Sequence, residues 1–122
     1  MKTITIALLL LAATAAHAAS PPETVLAYFY PKPGKEAQLE KILGDYWTTL
    51  ARLDLVDAPR VTLRGSDAKG RVYYVVVQTW KSVDIPDNAP PEIVKIWDAM
   101  NAVVESRDGK AGIHFDEVTV IP

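Results

Sequence analysis

The chain of 122 residues contains no cysteine. That excludes a disulfide framework, a thiolate metal site and a lipid anchor on a cysteine at a processing site. Histidine is nearly as scarce, with only His17 and His114, and His17 lies in the leading segment described below. One imidazole left in the domain does not make a metal site within one subunit. The six glycines form no phosphate-cradling loop, no serine stands in a nucleophile elbow, and no run of carboxylates has the spacing of a calcium loop. Lys and Arg are scattered, with no basic stripe accompanying the aromatics, which argues against nucleic acid as a partner. The longest apolar run, Ile4 to Ala16, falls short of the ~20 residues needed to cross a bilayer. No bound cofactor and no metal is expected from these residues, and no stable membrane insertion once the leader is gone.

What the first residues do form is a leader: Lys2, the apolar run, and a small-residue Ala16-His17-Ala18 exit, the pattern of a secretory signal peptide. Residues 1–18 are read as that signal peptide and 19–122 as one mature domain, exported to the periplasm or the medium. Loss of Lys2 with the leader leaves twelve basic residues against fifteen acidic ones, a formal charge of −3. A domain of this size has a core that is adequate and not generous, so oligomerisation is an expected source of further burial.

The mature part reads as alternating strands and helices. Glu23 to Tyr30 is β-branched, aromatic and stopped by Pro31 and Pro33, so a strand is expected there. Gly34 is placed as the cap of a helix over Lys35 to Leu53, whose apolar residues at 39, 42, 43, 46, 50 and 53 share one face. Tyr46 falls inside that stripe and Trp47 at its edge. Asp54 suits a left-handed C-cap with Leu55 folding back on the helix. Asp57-Ala58-Pro59 reads as a turn, and Arg60 to Gly65 alternates as a half-exposed strand does. Arg71 to Trp80 is the strongest strand, apolar on both faces as when both sides of a sheet are covered. Asp84 to Pro91 is a proline-punctuated loop, with Pro91 in the first turn of a helix over Glu92 to Ser106. Ile113 to Ile121 is a last strand. The order β-α-β-β-α-β is that of a ferredoxin-like α+β sandwich, a four-stranded antiparallel sheet with two helices on one face.

Lys32-Pro33-Gly34-Lys35-Glu36, Tyr46-Trp47-Thr48-Thr49-Leu50, Arg64-Gly65 through Trp80-Lys81, and Pro91-Glu92-Ile93 with Ile96-Trp97 and Met100 together resemble the dimeric α+β-barrel superfamily. More narrowly, the chain is similar to small members of the antibiotic-biosynthesis-monooxygenase-like group, from Glu23 to Val120. The resemblance implies that two sheets pair face to face in a homodimer, with Tyr73, Val75 and Val77 at the interface. It implies the fold more firmly than a chemistry, because one superfold hosts many activities. The chain departs from the group at Asp54, where relatives commonly have glycine, and at Asn88, where they often have histidine.

In that fold the space between helices and sheet can open as a ligand pocket. Tyr28, Trp47, Tyr74, Trp80 and Trp97 are its expected lining, with Tyr46 beside them as core, and a small aromatic or quinol-type molecule is the expected ligand. His114, on the last strand between Ile113 and Phe115, is the candidate base for a phenol or enol. Two functions follow from different classes: a cofactor-independent monooxygenase-like enzyme, or an exported protein without catalysis that binds a small ligand or merely assembles.

Overall fold

Residues 20–122 are described by the computed structural model, and the expected signal peptide over 1–18 lies outside them. Strand β1 (Glu23–Phe29) runs into the Pro-Lys-Pro-Gly segment, where the Lys35 amide donates to the Lys32 carbonyl at 3.0 Å. Pro33 sits second in this turn and Gly34, at φ +83°, sits third. Proline followed by a residue with positive φ is the signature of a type II turn. The positive φ of Gly34 is thus used by the turn, and the cap of the following helix is Lys35, without a side-chain cap bond.

Helix α1 (Glu36–Arg52) buries Leu39, Leu43, Tyr46 and Leu50, with Ile42, Trp47 and Leu53 packed partly against the same core. It ends as expected. Asp54 takes φ +56°, its amide donates to the Ala51 carbonyl at 3.1 Å, and the Leu55 amide reaches back to the Leu50 carbonyl at 3.0 Å. Those two bonds form a Schellman-type stop that satisfies carbonyls the helix leaves open.

Strand β2 (Val56–Ser66) starts earlier than its alternation indicates. Val56 and Asp57 already pair with Trp80 and Thr79, and the register then shifts before Val61. The expected turn at Asp57-Ala58-Pro59 is therefore an irregularity within a strand. Pro59 has no amide to donate, which an edge strand tolerates at such a bulge. Strand β3 (Val72–Trp80) pairs with β2 on one side and β1 on the other. A short 3₁₀ turn at Pro86–Asn88 leads into helix α2 (Pro91–Val103). This helix stops before the expected Ser106 because the next residues leave it to join the end of β1. The Lys32 amide donates to the Val103 carbonyl at 2.8 Å and the Glu105 amide to the Tyr30 carbonyl at 2.9 Å. Strand β4 (Ile113–Val118) ends before the expected Ile121.

The sheet order is β2-β3-β1-β4 with all neighbours antiparallel, the ferredoxin-like α+β fold. Strand parity divides the sheet into two unlike faces. Val25, Ala27, Phe29, Tyr74, Val76 and Trp80 are buried beneath the helices. On the other face, Leu63, Val75, Tyr28 and His114 lie in one row across all four strands, and Val61, Val77 and Leu26 in the next. Among the described residues no helix packs on that second face, and Leu63 is 52% exposed there. No helix among the described residues is long and apolar enough to cross a membrane.

Candidate ligand cavity

The helices do not cover their face of the sheet evenly. Between the helix-facing sides of β1, β3 and β4 and the inner side of α2 lies a cavity of about 580 Å³, lined among others by Phe29, Tyr46, Gln78, Trp80, Trp97 and Met100. That volume suits a small organic molecule. The α2 stripe supplies Trp97 and Met100, β3 supplies Gln78 and Trp80, and α1 supplies Tyr46. Trp80 and Trp97 meet edge to face with ring centroids 6.4 Å apart at 84°, forming two walls at a right angle.

The polar end of the cavity is built on Gln78, which is 4% exposed. Its Nε2 donates to the Tyr46 hydroxyl at 3.1 Å, and Trp97 Nε1 donates to the same oxygen at 3.5 Å. Burial pushes the Tyr46 phenol above its usual pKa, with the Trp97 and Gln78 hydrogen bonds drawing it partly back. The phenol thus stays neutral at physiological pH, and no protein acceptor for its own hydrogen is found among the described residues. Gln78 Oε1 is buried and has no hydrogen-bond partner among them. Buried polar atoms are nearly always satisfied, and Gln78, whose Oε1 is not, is also a lining residue of the cavity.

The expected site residues divide. Trp80 and Trp97 line the cavity. Tyr46, expected as core, is buried at 3% exposure and also forms the cavity's polar end. Tyr74 faces the helices but not this cavity. Its hydroxyl donates to Glu40 at 2.5 Å, a carboxylate also paired with Arg64 at 3.2 Å. The Tyr74 pKa is pushed up to about 12, by burial first and then by Glu40. Glu40 is therefore the anchor of a tyrosine and not merely part of a solvated helix face. Trp47 turns toward β2, where its Nε1 donates to Thr62 Oγ1 at 2.6 Å. It forms no part of the lining.

Tyr28 and His114 require a correction of a different kind, because both lie on the opposite face of the sheet. They are direct partners in the β1–β4 register, and their rings stack at 4.7 Å with 7° between planes. Tyr30 adds a second contact to the imidazole at 5.4 Å. The sheet itself separates His114 from the cavity, so it does not reach a ligand held there. Its Nδ1 is buried without a partner, beside Val75, Tyr28 and the rest of the uncovered face. Tyr73, Val75 and Val77 lie on that face, each half-buried in the single chain. No cluster of three or more metal-ligating side chains occurs among the described residues.

Gln78 falls outside the residues that the sequence marks as cavity lining, although a signal is present. It is the one amide in the apolar run VYYVVVQTW and shares strand parity with Tyr74, Val76 and Trp80.

This architecture is that of known solved structures. A variant of SnoaB, a cofactor-independent oxygenase from Streptomyces nogalater, matches with a TM-score of 0.61 at 17% identity, over 83% of this chain and 94% of that one. Rv0793 from Mycobacterium tuberculosis matches with a TM-score of 0.60 at 16% identity, over 83% and 96%. An antibiotic biosynthesis monooxygenase matches with a TM-score of 0.62 at 15% identity, over 82% and 99%. The structural neighbours are thus antibiotic-biosynthesis-monooxygenase-like proteins, and the chain has their α+β fold. No protein-family model matches the sequence, and no curated protein matches it.

Proposed function

We propose that the protein holds a small phenol- or quinol-type molecule in the helix–sheet cavity and oxidises it with dioxygen, as a monooxygenase-like enzyme that draws electrons from the substrate. The observation that carries this reading is the open Gln78 amide beside the Tyr46 hydroxyl, at the end of a cavity walled by two indoles. A flat ring can lie in the corner that Trp80 and Trp97 form, stacked on one indole with its edge toward the other. A hydroxyl on that ring can donate to Gln78 Oε1 and accept from the neutral Tyr46 phenol. The description of SnoaB as a cofactor-independent oxygenase adds a precedent on the same fold. The balance is simple: a phenol unsubstituted opposite its hydroxyl, plus dioxygen, gives a quinone and one water. One oxygen atom enters the product and the other leaves as water.

A second reading, binding without catalysis, is favoured by the placement of His114. The only histidine among the described residues faces away from the cavity, and the Tyr46 phenol is held protonated. No side chain beside Gln78 is thus poised as a base near neutral pH.

An oxygen electrode separates the two. With a phenol unsubstituted opposite its hydroxyl, such as 1-naphthol, under ¹⁸O-labelled dioxygen, uptake above the rate in buffer and one ¹⁸O atom in the quinone product are expected. Gln78→Leu should lower kcat/KM by about tenfold or more, the loss associated with one buried hydrogen bond. Ligand binding without oxygen uptake would leave the second reading in place.

The protein in this account is an exported homodimer. Cleavage after Ala18 is expected, so the mature chain should begin at Ala19 in N-terminal sequencing. Recovery of intact Met1 from the membrane fraction would contradict export.

A further inference from the structure

The lining of the helix–sheet cavity has an electrical bias that a neutral aromatic ligand does not use. Three carboxylates stand on it: Glu23 at the start of β1, Glu117 on β4, and Asp87 on the 3₁₀ turn, and no Lys or Arg lines the cavity. Glu23 and Glu117 are on adjacent strands at positions that share the helix-facing parity, Glu117 being the register partner of Val25. None of the three takes part in a salt bridge among the described residues, and Glu23 and Glu117 stand close enough to share a hydrogen bond with each other. Elsewhere half of the acidic side chains have cationic partners: Glu40, Asp45, Asp54, Asp67, Glu92 and Asp108. The lining is thus a site of uncompensated negative charge set against indole faces.

A second, independent observation lies on the same cavity. Gln78, buried to 4% exposure, lines the same cavity with its Oε1 unsatisfied. The cavity therefore has a buried polar end at Gln78 and Tyr46 and a carboxylate group on the strand ends and the 3₁₀ turn, with Trp80 and Trp97 as its aromatic walls. Indole faces attract cations through the ring quadrupole, and carboxylates around a cleft with low-dielectric walls concentrate cations in it.

From this arrangement we infer that the cavity selects an organic cation: an aromatic ring whose hydroxyl or carbonyl meets Gln78 and Tyr46, carrying a protonated amine or ammonium toward Glu23, Asp87 and Glu117. The inference rests on the reading of the cavity as a ligand site and specifies the ligand's charge. The mutual repulsion of the carboxylates is visible at Glu23, whose pKa is raised by partial burial first and then by Glu117 and Asp87. A bound cation relieves that repulsion, whereas an anion adds to it.

The test is isothermal titration calorimetry of the protein at low salt with three probes that share a phenol ring: tyramine, 4-ethylphenol and 4-hydroxyphenylacetate. Tyramine should bind about tenfold more tightly than 4-ethylphenol, the order of one partly desolvated cation–aromatic contact, and 4-hydroxyphenylacetate most weakly. The preference should shrink as salt screens the carboxylates. In the combined Glu23→Gln, Asp87→Asn, Glu117→Gln variant, whose altered side chains leave the buried core intact, the three probes should bind alike. Equal affinities in the wild type would overturn the charge preference and leave the cavity as a neutral-ligand site. Binding of none of the three would remove the ligand site itself. A tyramine preference that survives in the combined variant, or is insensitive to salt in the wild type, would overturn the role assigned to the carboxylates.

Discussion

Tyr46→Ala lowers the free energy of unfolding by about 3–5 kcal/mol, the range for truncating a large buried aromatic residue. The ring lies in the apolar stripe of α1 and is 3% exposed, so its removal leaves a void under the helix. The hydroxyl adds to the loss, because Gln78 Nε2 and Trp97 Nε1 both donate to it and would be left without an acceptor. Tyr46→Phe isolates that polar part and should cost about 1–3 kcal/mol, the penalty for orphaned buried donors. Trp47→Ala is the control on the next residue. Its ring is only half-buried and its bond to Thr62 is partly solvated, so its loss should be clearly smaller than that of Tyr46→Ala. Thermal unfolding of the three variants measures the order. Equal destabilisation by Tyr46→Ala and Trp47→Ala would contradict it.

Val75→Lys should break the proposed dimer, leaving monomer or aggregate. Val75 sits in a row with Leu63, Tyr28 and His114 across the uncovered face of the sheet, a largely apolar surface with Asp116 at its β4 edge, of the kind that marks an interaction site. Pairing this face with the same face of a second copy gives a self-complementary interface. Each lysine would then stand buried and unpaired near its symmetry mate, at a cost of several kcal/mol. Val77→Lys should act similarly from the next row, where Leu26 and Val61 are its partners. In the isolated chain either lysine reaches solvent, so folding should survive while association fails. Sedimentation of the wild type as a dimer at micromolar concentration, and of the variants as monomer or aggregate, is the expected result. A stable wild-type monomer would contradict the interface.

Period and punctuation made the fold readable in the sequence. The 3.6-residue spacing from Leu39 to Leu53 gives α1, and prolines mark the ends of β1 and the start of α2. The places where the reading slipped have local causes. Alternation misses the first residues of β2 because Asp57 and Pro59 look like a turn, yet Val56 pairs with Trp80. Helical spacing carries α2 too far because Val104 is apolar, although its burial comes from bridging to Pro31.

The site was less legible for a physical reason. In a strand apolar on both faces, such as ETVLAYF, composition does not say which parity the helices cover, and a two-residue period makes the wrong choice complete for a given side chain. Tyr28 and His114 went to the uncovered face on that account. For Trp47 the cause is angular. A residue at the stripe's edge can turn to either flank of the helix, and Thr62 of β2 draws its indole away from the cavity. Gln78 was hidden by its apolar neighbours, although a single amide at buried parity is the kind of residue that tertiary structure must satisfy.

The ligand role assigned to the cavity is most directly tested by ¹H–¹⁵N NMR of the indole groups during titration with 4-ethylphenol. The chain has three tryptophans, and the structure gives each a different environment: Trp80 and Trp97 on the cavity walls, Trp47 bonded to Thr62. Shifts that saturate for the Trp80 and Trp97 indole resonances, with Trp47 unmoved, are the predicted result. An unchanged spectrum, or a shift confined to Trp47, would contradict the account.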